Sequence, residues 1–147
     1  SGFFSGFQIE PQNLGTNYCS VTSNSTGSPA LIAASGSLSI AAANLVLAAV
    51  PVPNEPFIFF AGPNQISTPF GDGFRCVGGA AGTVVRIFPF SVADGSGTMS
   101  TSIDNTNPVH SQMQSGATLH FQCWFRDQLV LGVTSSNFTD AVRVTFE

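Results

Sequence analysis

The chain has 147 residues and a formal net charge of −4, with four Lys plus Arg against eight Asp plus Glu. That length suits a single domain with a proper core. Only 8% of the residues are charged, against about 25% in ordinary globular proteins. The cations are all arginines (Arg75, Arg86, Arg126 and Arg143), so neither nucleic acid nor insertion into or onto an anionic membrane is expected, both of which want clustered basic residues or long apolar runs. The surface must be covered by Ser, Thr, Asn, Gln and Gly. This is the habit of secreted β-proteins and of subunits that close on one another with little charge to desolvate.

The first residues, Ser1 to Ile9, read as a strand with Phe3, Phe7 and Ile9 on one face and Ser5 between them. Such an apolar end either covers its own domain as an edge strand or completes the sheet of a neighbour. In the second case Phe3, Phe4, Phe7 and Ile9 would be the intersubunit anchors, and Gly2 and Gly6 would keep the arm supple. A start at Ser1, without Met, is what a processed chain or a piece of a longer protein would show. Residues 1–16 are therefore expected to form an arm and linker, and 17–147 a single β-sandwich domain.

Glu10 to Ser28 reads as a polar loop that carries Cys19. It contains the sequon Asn24-Ser25-Thr26, and a second, Asn137-Phe138-Thr139, lies near the end. Ala30 to Ser35 and Ser37 to Ile40 look like strand, turn, strand. Asn44 to Val50 follows. Its Leu45, Leu47 and Ala49 alternate with Val46, Ala48 and Val50, so both faces are apolar and another sheet should cover it. A helix over Ala41 to Ala49 is excluded by Ser-Gly before it and Pro51 and Pro53 after it.

Phe57-Ile58-Phe59-Phe60 should be a central strand, apolar on both faces. Ile66 to Phe70 leads into a tight turn at Gly71-Asp72-Gly73, followed by Phe74-Arg75-Cys76-Val77 and the pair Gly78-Gly79. Thr83 to Phe90 is a further strand, and Asp94-Gly95-Ser96-Gly97 predicts a hairpin back through Thr98 to Ile103. In Ala117 to Asp127, Phe121, Cys123 and Phe125 point one way and His120, Gln122, Trp124 and Arg126 the other. Ala141 to Glu147 closes the chain as a half-buried strand. The pattern predicts an all-β fold, a two-sheet antiparallel β-sandwich of about nine or ten short strands with an extended apolar N-terminal arm.

Three cysteines imply one disulfide and a free thiol, or a bond between chains. Cys123 lies between two Phe on the core face, where a thiol behaves as a small hydrophobe, so it is the expected free cysteine. A bond from Cys19 to Cys76 would close about 58 residues and, in the chain-entropy model, contribute roughly 4 kcal/mol.

Tyr18-Cys19, Asn24 to Gly27, Ala34 to Ser37, Leu45-Val46-Leu47 and Val50-Pro51-Val52-Pro53 carry a resemblance. So do Phe57 to Gly62, Pro69 to Gly79, Phe121 to Asp127 and Asn137 to Phe146. In these pieces the chain from about Asn17 onward resembles a family of uncharacterised secreted bacterial domains of planctomycete type, often placed C-terminally in exported proteins. The resemblance implies export to the cell surface or beyond, a β-rich module and pairing of Cys19 with Cys76. It implies no catalytic residues.

The chemistry agrees with a non-enzyme. No Gly-x-Ser-x-Gly elbow is present, and His120 and Cys123 have opposite parity on one strand. Asp72, Asp94, Asp104, Asp127 and Asp140 fall in turns or at strand ends, where Asp usually bonds its own backbone. Asp72 with Arg75, and Arg126 with Asp127, are expected to be ion pairs. No cofactor is expected: Asp104 to Asn107 and Gly71-Asp72-Gly73 offer oxygens that would suit only calcium, and without its usual spacing. The expected role is a structural or interaction module, a subunit of a surface filament or adhesive assembly that self-associates or meets other extracellular proteins by strand exchange. The alternative is a polysaccharide-binding module of an exported enzyme, with Trp124, flanked by Gln122 and Arg126, as its sugar platform.

Overall fold

The computed structural model describes residues 13–93, 95–104, 108–130 and 132–147, with the side chains of 88–90, 108, 129 and 130 excepted. The arm residues Phe3, Phe4, Phe7 and Ile9 lie outside these, as do Asp94 of the expected hairpin turn and Asn105 to Asn107. Ten strands are described, and their arrangement is the antiparallel sandwich the sequence predicts. They are β1 (Thr16–Tyr18), β2 (Leu31–Ser35), β3 (Leu45–Val50), β4 (Pro56–Gly62), β5 (Asn64–Phe70) and β6 (Gly73–Gly78), then β7 (Val85–Val92), β8 (Met99–Ile103), β9 (Thr118–Val130) and β10 (Val133–Thr145). One 3₁₀ turn, Pro108–Gln112, is the sole helical element among the described residues.

The strands form a five-stranded sheet in the order β1-β10-β9-β4-β7, a three-stranded sheet in the order β2-β3-β8, and a separate β5-β6 hairpin. The main core lies between the two sheets. Phe57, Phe59, Phe121, Phe125 and Ile87 from the larger sheet meet Ile32, Leu45, Leu47, Met99 and Ile103 from the smaller. Each such side chain contributes about 1.5–3 kcal/mol on leaving water. Cys123 is buried between them as a free thiol, and burial pushes its pKa well above the ordinary thiol range.

A second, smaller cluster sits on the opposite face of the five-stranded sheet, where the β5-β6 hairpin covers it. Phe60, Cys76, Val77, Phe138 and Ala141 form it, with Tyr18, Phe74 and Trp124 at its edge. The Phe57 to Phe60 strand is apolar on both faces for this reason: one face meets the sandwich core and the other the hairpin.

Four expectations change. The folded unit begins before residue 17, because Leu14 N–H donates to the Ala34 carbonyl and Thr16 pairs with Arg143. Ser37 to Ile40 is a turn instead of a strand: Gly36 has φ of 93°, and Asn44 Oδ1 takes the Ser37 N–H and hydroxyl, replacing ladder partners. Met99 to Ile103 does not return along β7 but crosses to the other sheet and pairs with β3, which brings Met99 and Ile103 into the core. The last strand starts at Val133, well before Ala141. Polar residues are buried within it: Asn137, Thr139 and Asp140.

Those polar residues hold elements together. Asp140 accepts from Ile32 N–H at 2.7 Å and from Asn17 Nδ2 at 2.9 Å, tying β10 to the smaller sheet. A β-bulge opposite Cys123 leaves the Cys123 N–H to Thr139 Oγ1 at 3.1 Å. Asp127, fully buried, accepts from Ser25 N–H with both oxygens. Neither Asp127 nor Asp140 therefore sits in a turn or at a strand end. The expected pairs of Asp127 with Arg126 and of Asp72 with Arg75 do not form; Arg75 Nε donates instead to the Val77 carbonyl at 3.0 Å.

The hairpin turn is pinned where glycine is required. Gly71 has φ of 58°, and a Cβ there would lie 2.6 Å from the Ser136 carbonyl oxygen, beside the bond from Asp72 N–H to that same oxygen. Gly71→Ala is expected to lower unfolding free energy by about 2 kcal/mol, from left-handed strain plus displacement of a backbone atom, measured by urea unfolding. A loss under a few tenths would mean that the turn docks loosely on β10.

Candidate binding groove

The hairpin does not cover the whole outer face of the five-stranded sheet. Beside it lies an open groove of about 1040 Å³. Its floor is Ile58 and Phe60 of β4 with Val84 and Val85 leading into β7. Phe70 at the end of β5 and Phe138 and Ser136 of β10 also line it. Rings step from floor to rim, each edge to face: Phe60 to Phe138 at 6.0 Å and Phe138 to Phe70 at 5.8 Å. Phe70 remains 55% exposed.

Three of the four arginines line this groove: Arg75, Arg86 and Arg126. Among the described residues no carboxylate is part of the lining. The sheet register explains how residues far apart in sequence converge. Arg86 stands opposite Phe60 on β4, Phe60 opposite Gln122 on β9, and Ile58 opposite Trp124, which in turn pairs with Phe138. Arg126 lies two residues beyond Trp124 on the same face. Its guanidinium stands 5.2 Å from the Trp124 ring centroid, a cation–π contact.

The sugar platform expected from Trp124, Gln122 and Arg126 is thus rearranged. Trp124 and Arg126 reach the groove, but Arg126 stands over the indole face that a neutral sugar ring would stack on. Gln122 is 0% exposed and cannot touch a ligand. Its Oε1 accepts from Cys76 N–H at 2.8 Å, and its Nε2 donates to the Phe74 and Thr139 carbonyls, each at 2.8 Å. The side-chain amide takes the place of a neighbouring strand for β6, holding the hairpin on the sheet. A polar residue on an outward face signalled solvent, because strand parity cannot show that a third layer covers that face.

Two further contacts clamp the hairpin. Cys19 and Cys76 form a disulfide with Cα atoms 6.0 Å apart, the pairing that the resemblance implied. Tyr18 Oη–H donates to the Cys76 carbonyl at 2.8 Å and lies 2.9 Å from His120 Nδ1. Since the phenol has one proton and the carbonyl can only accept, His120 Nδ1 is the donor to Tyr18. Burial raises the Tyr18 pKa, with Arg143 acting in the opposite sense. Burial first, and Arg143 second, lower that of His120 below 6.5. A lowered histidine pKa means that the neutral ring stabilises the fold. The contribution is complete above pH 6.5 and is lost as pH falls through the folded value. Asp140, its pKa raised by burial, changes stability with pH in the opposite direction. Stability measured against pH should therefore fall less steeply on acidification in His120→Gln than in the wild type. Parallel curves would remove His120 from the clamp.

Both sequons are closed. Asn24 is 1% exposed with Nδ2 donating to the Pro51 carbonyl. Asn137 is 0% exposed and bonded to Thr22 and Phe138. The folded domain offers neither amide to a glycosylating enzyme. Among the described residues no group of three His, Cys, Asp or Glu is placed to hold a metal, and no helix is long and apolar enough to cross a membrane. The chain matches no protein-family model, no curated protein and no solved structure.

Proposed function

We propose that the chain is a non-catalytic interaction module of an exported protein and that its groove binds a carbohydrate chain. The observation that carries this reading is the lining: an apolar, ring-stepped floor with cations at its rim and, among the described residues, no acid or nucleophile pair. A disulfide between segments 57 residues apart supports export, since such bonds persist in oxidising compartments. The test is retention of the domain on a panel of immobilised polysaccharides, with Phe70→Ala as the groove variant because its ring is largely exposed. Binding weakened by roughly tenfold at unchanged melting temperature supports the reading. A wild type that binds no glycan would end it.

A second observation favours a subunit of an assembly. The outer face of the three-stranded sheet, expected to be covered, is open: β3 buries Leu45, Leu47 and Ala49 while Val46 and Ala48 are half-buried and Val50 is exposed. Register places Leu31 beside Val50, and Ala33, Ala48 and Ser100 in one row. None of these residues is charged, so a second copy could stack on them with little desolvation cost. Ala48→Arg should then abolish any polymer seen by electron microscopy while the domain stays folded. Deleting residues 1–9 separates this face from the strand-exchange arm, whose loss would dissolve the polymer only if the arm is the connector.

A further inference from the structure

Resting on the groove as the binding surface, we infer that its occupant is an acidic polysaccharide, a polyuronate whose carboxylates are held by Arg86 at one end and Arg126 at the other. The protein as a whole carries −4, yet three of its cations gather here. Among the described residues no carboxylate pairs with any of them. Arg75 spends one N–H on the Val77 carbonyl and Arg126 rests on Trp124, which leaves planar guanidinium forks facing the groove. Such a fork matches a planar carboxylate through two parallel hydrogen bonds.

The spacing suits a polymer. Arg86 and Arg126 are two strands apart across the sheet and four residues apart along it by the register, roughly 16 Å between Cα atoms. A chain with repeating charges can follow that span and engage several guanidinium groups at once. Each exposed ion pair contributes only about 0–1 kcal/mol alone, so useful affinity requires several on one ligand. An extended peptide could add to this floor as a strand only along the outer edge of β7, because β4 and β9 are interior strands whose backbone groups are already paired.

The experiment is retention of the intact chain on immobilised polygalacturonate, an uncharged galactan and a sulfated galactan. The proteins compared are the wild type, Arg86→Gln with Arg126→Gln, and Arg143→Gln as a cation outside the groove. Expected are retention on the polyuronate that falls with added salt, at least tenfold weakening in the double variant, and none in Arg143→Gln. Equal retention on the uncharged galactan overturns the acidic assignment while leaving the groove in place. Retention on the sulfated chain alone overturns the carboxylate. A double variant that binds as the wild type does, or no retention on any of the three, overturns the inference; the last result also removes the groove reading.

Discussion

Replacing Cys19 and Cys76 together by Ala should lower the unfolding free energy by about 4 kcal/mol, the chain-entropy value for a loop of this size, and the melting temperature by roughly 10–15 °C. The loss has a local form as well. The bond joins the segment before β2 to the middle of β6, and among the described residues β5 pairs with β6 alone. Without the disulfide the hairpin is held by Gln122, Tyr18, the Asp72 contact and the small second cluster. Limited proteolysis of the double variant should therefore cut first between residues 64 and 78, with the two-sheet core still intact. Uniform cleavage across the chain, or a melting temperature within two degrees of the wild type, would show that the hairpin is secured by other contacts.

Gln122→Leu is expected to cost about 3 kcal/mol, more than its single position suggests. The change strands three buried backbone groups at once: Cys76 N–H, Phe74 C=O and Thr139 C=O. A buried polar group without a partner costs about 1–3 kcal/mol, and relaxation of the hairpin would let some of the three find water. Leucine is of comparable size, so little of the loss comes from a cavity. Gln122→Glu sharpens the test, because it keeps an acceptor for Cys76 N–H but turns the two carbonyl contacts repulsive when ionised. It should be the worse variant at neutral pH and recover as the pH is lowered. Should Leu and Glu both prove neutral, the amide is ornamental and the hairpin packs by shape alone.

These two sites show where the sequence was readable and where it was not. Phe121, Cys123 and Phe125 announced a core face by their period of two, and Phe57 to Phe60 announced a strand between two apolar layers. Gln122 obeyed the same period and was placed on the correct face. What covers that face is decided by a hairpin 46 residues away, and no local pattern carries that information. Asn24 and Asn137 were legible only as sequons. Their burial follows from partners 27 and 115 residues distant. The ion pairs were read from neighbours in sequence, yet Arg75 turns to the Val77 carbonyl and Arg126 to the Trp124 ring, each two residues along its own strand. The groove itself was half legible: Trp124 and Arg126 share a strand, whereas Arg75, Arg86 and Phe70 join them only after four strands and a covalent link have been arranged.

The Cys19–Cys76 link also determines how the molecule would respond to being pulled by its ends. Tension would pass from the segment before Cys19 straight across the sulfur bridge to Val77, leaving β2 to β5 off the loaded path. The enclosed 57 steps of chain represent roughly 190 Å of extension that cannot be drawn out unless the bridge is reduced. A domain anchored outside a cell would then yield in a short excursion governed by β7 to β10, with the N-terminal half acting as a fixed knot.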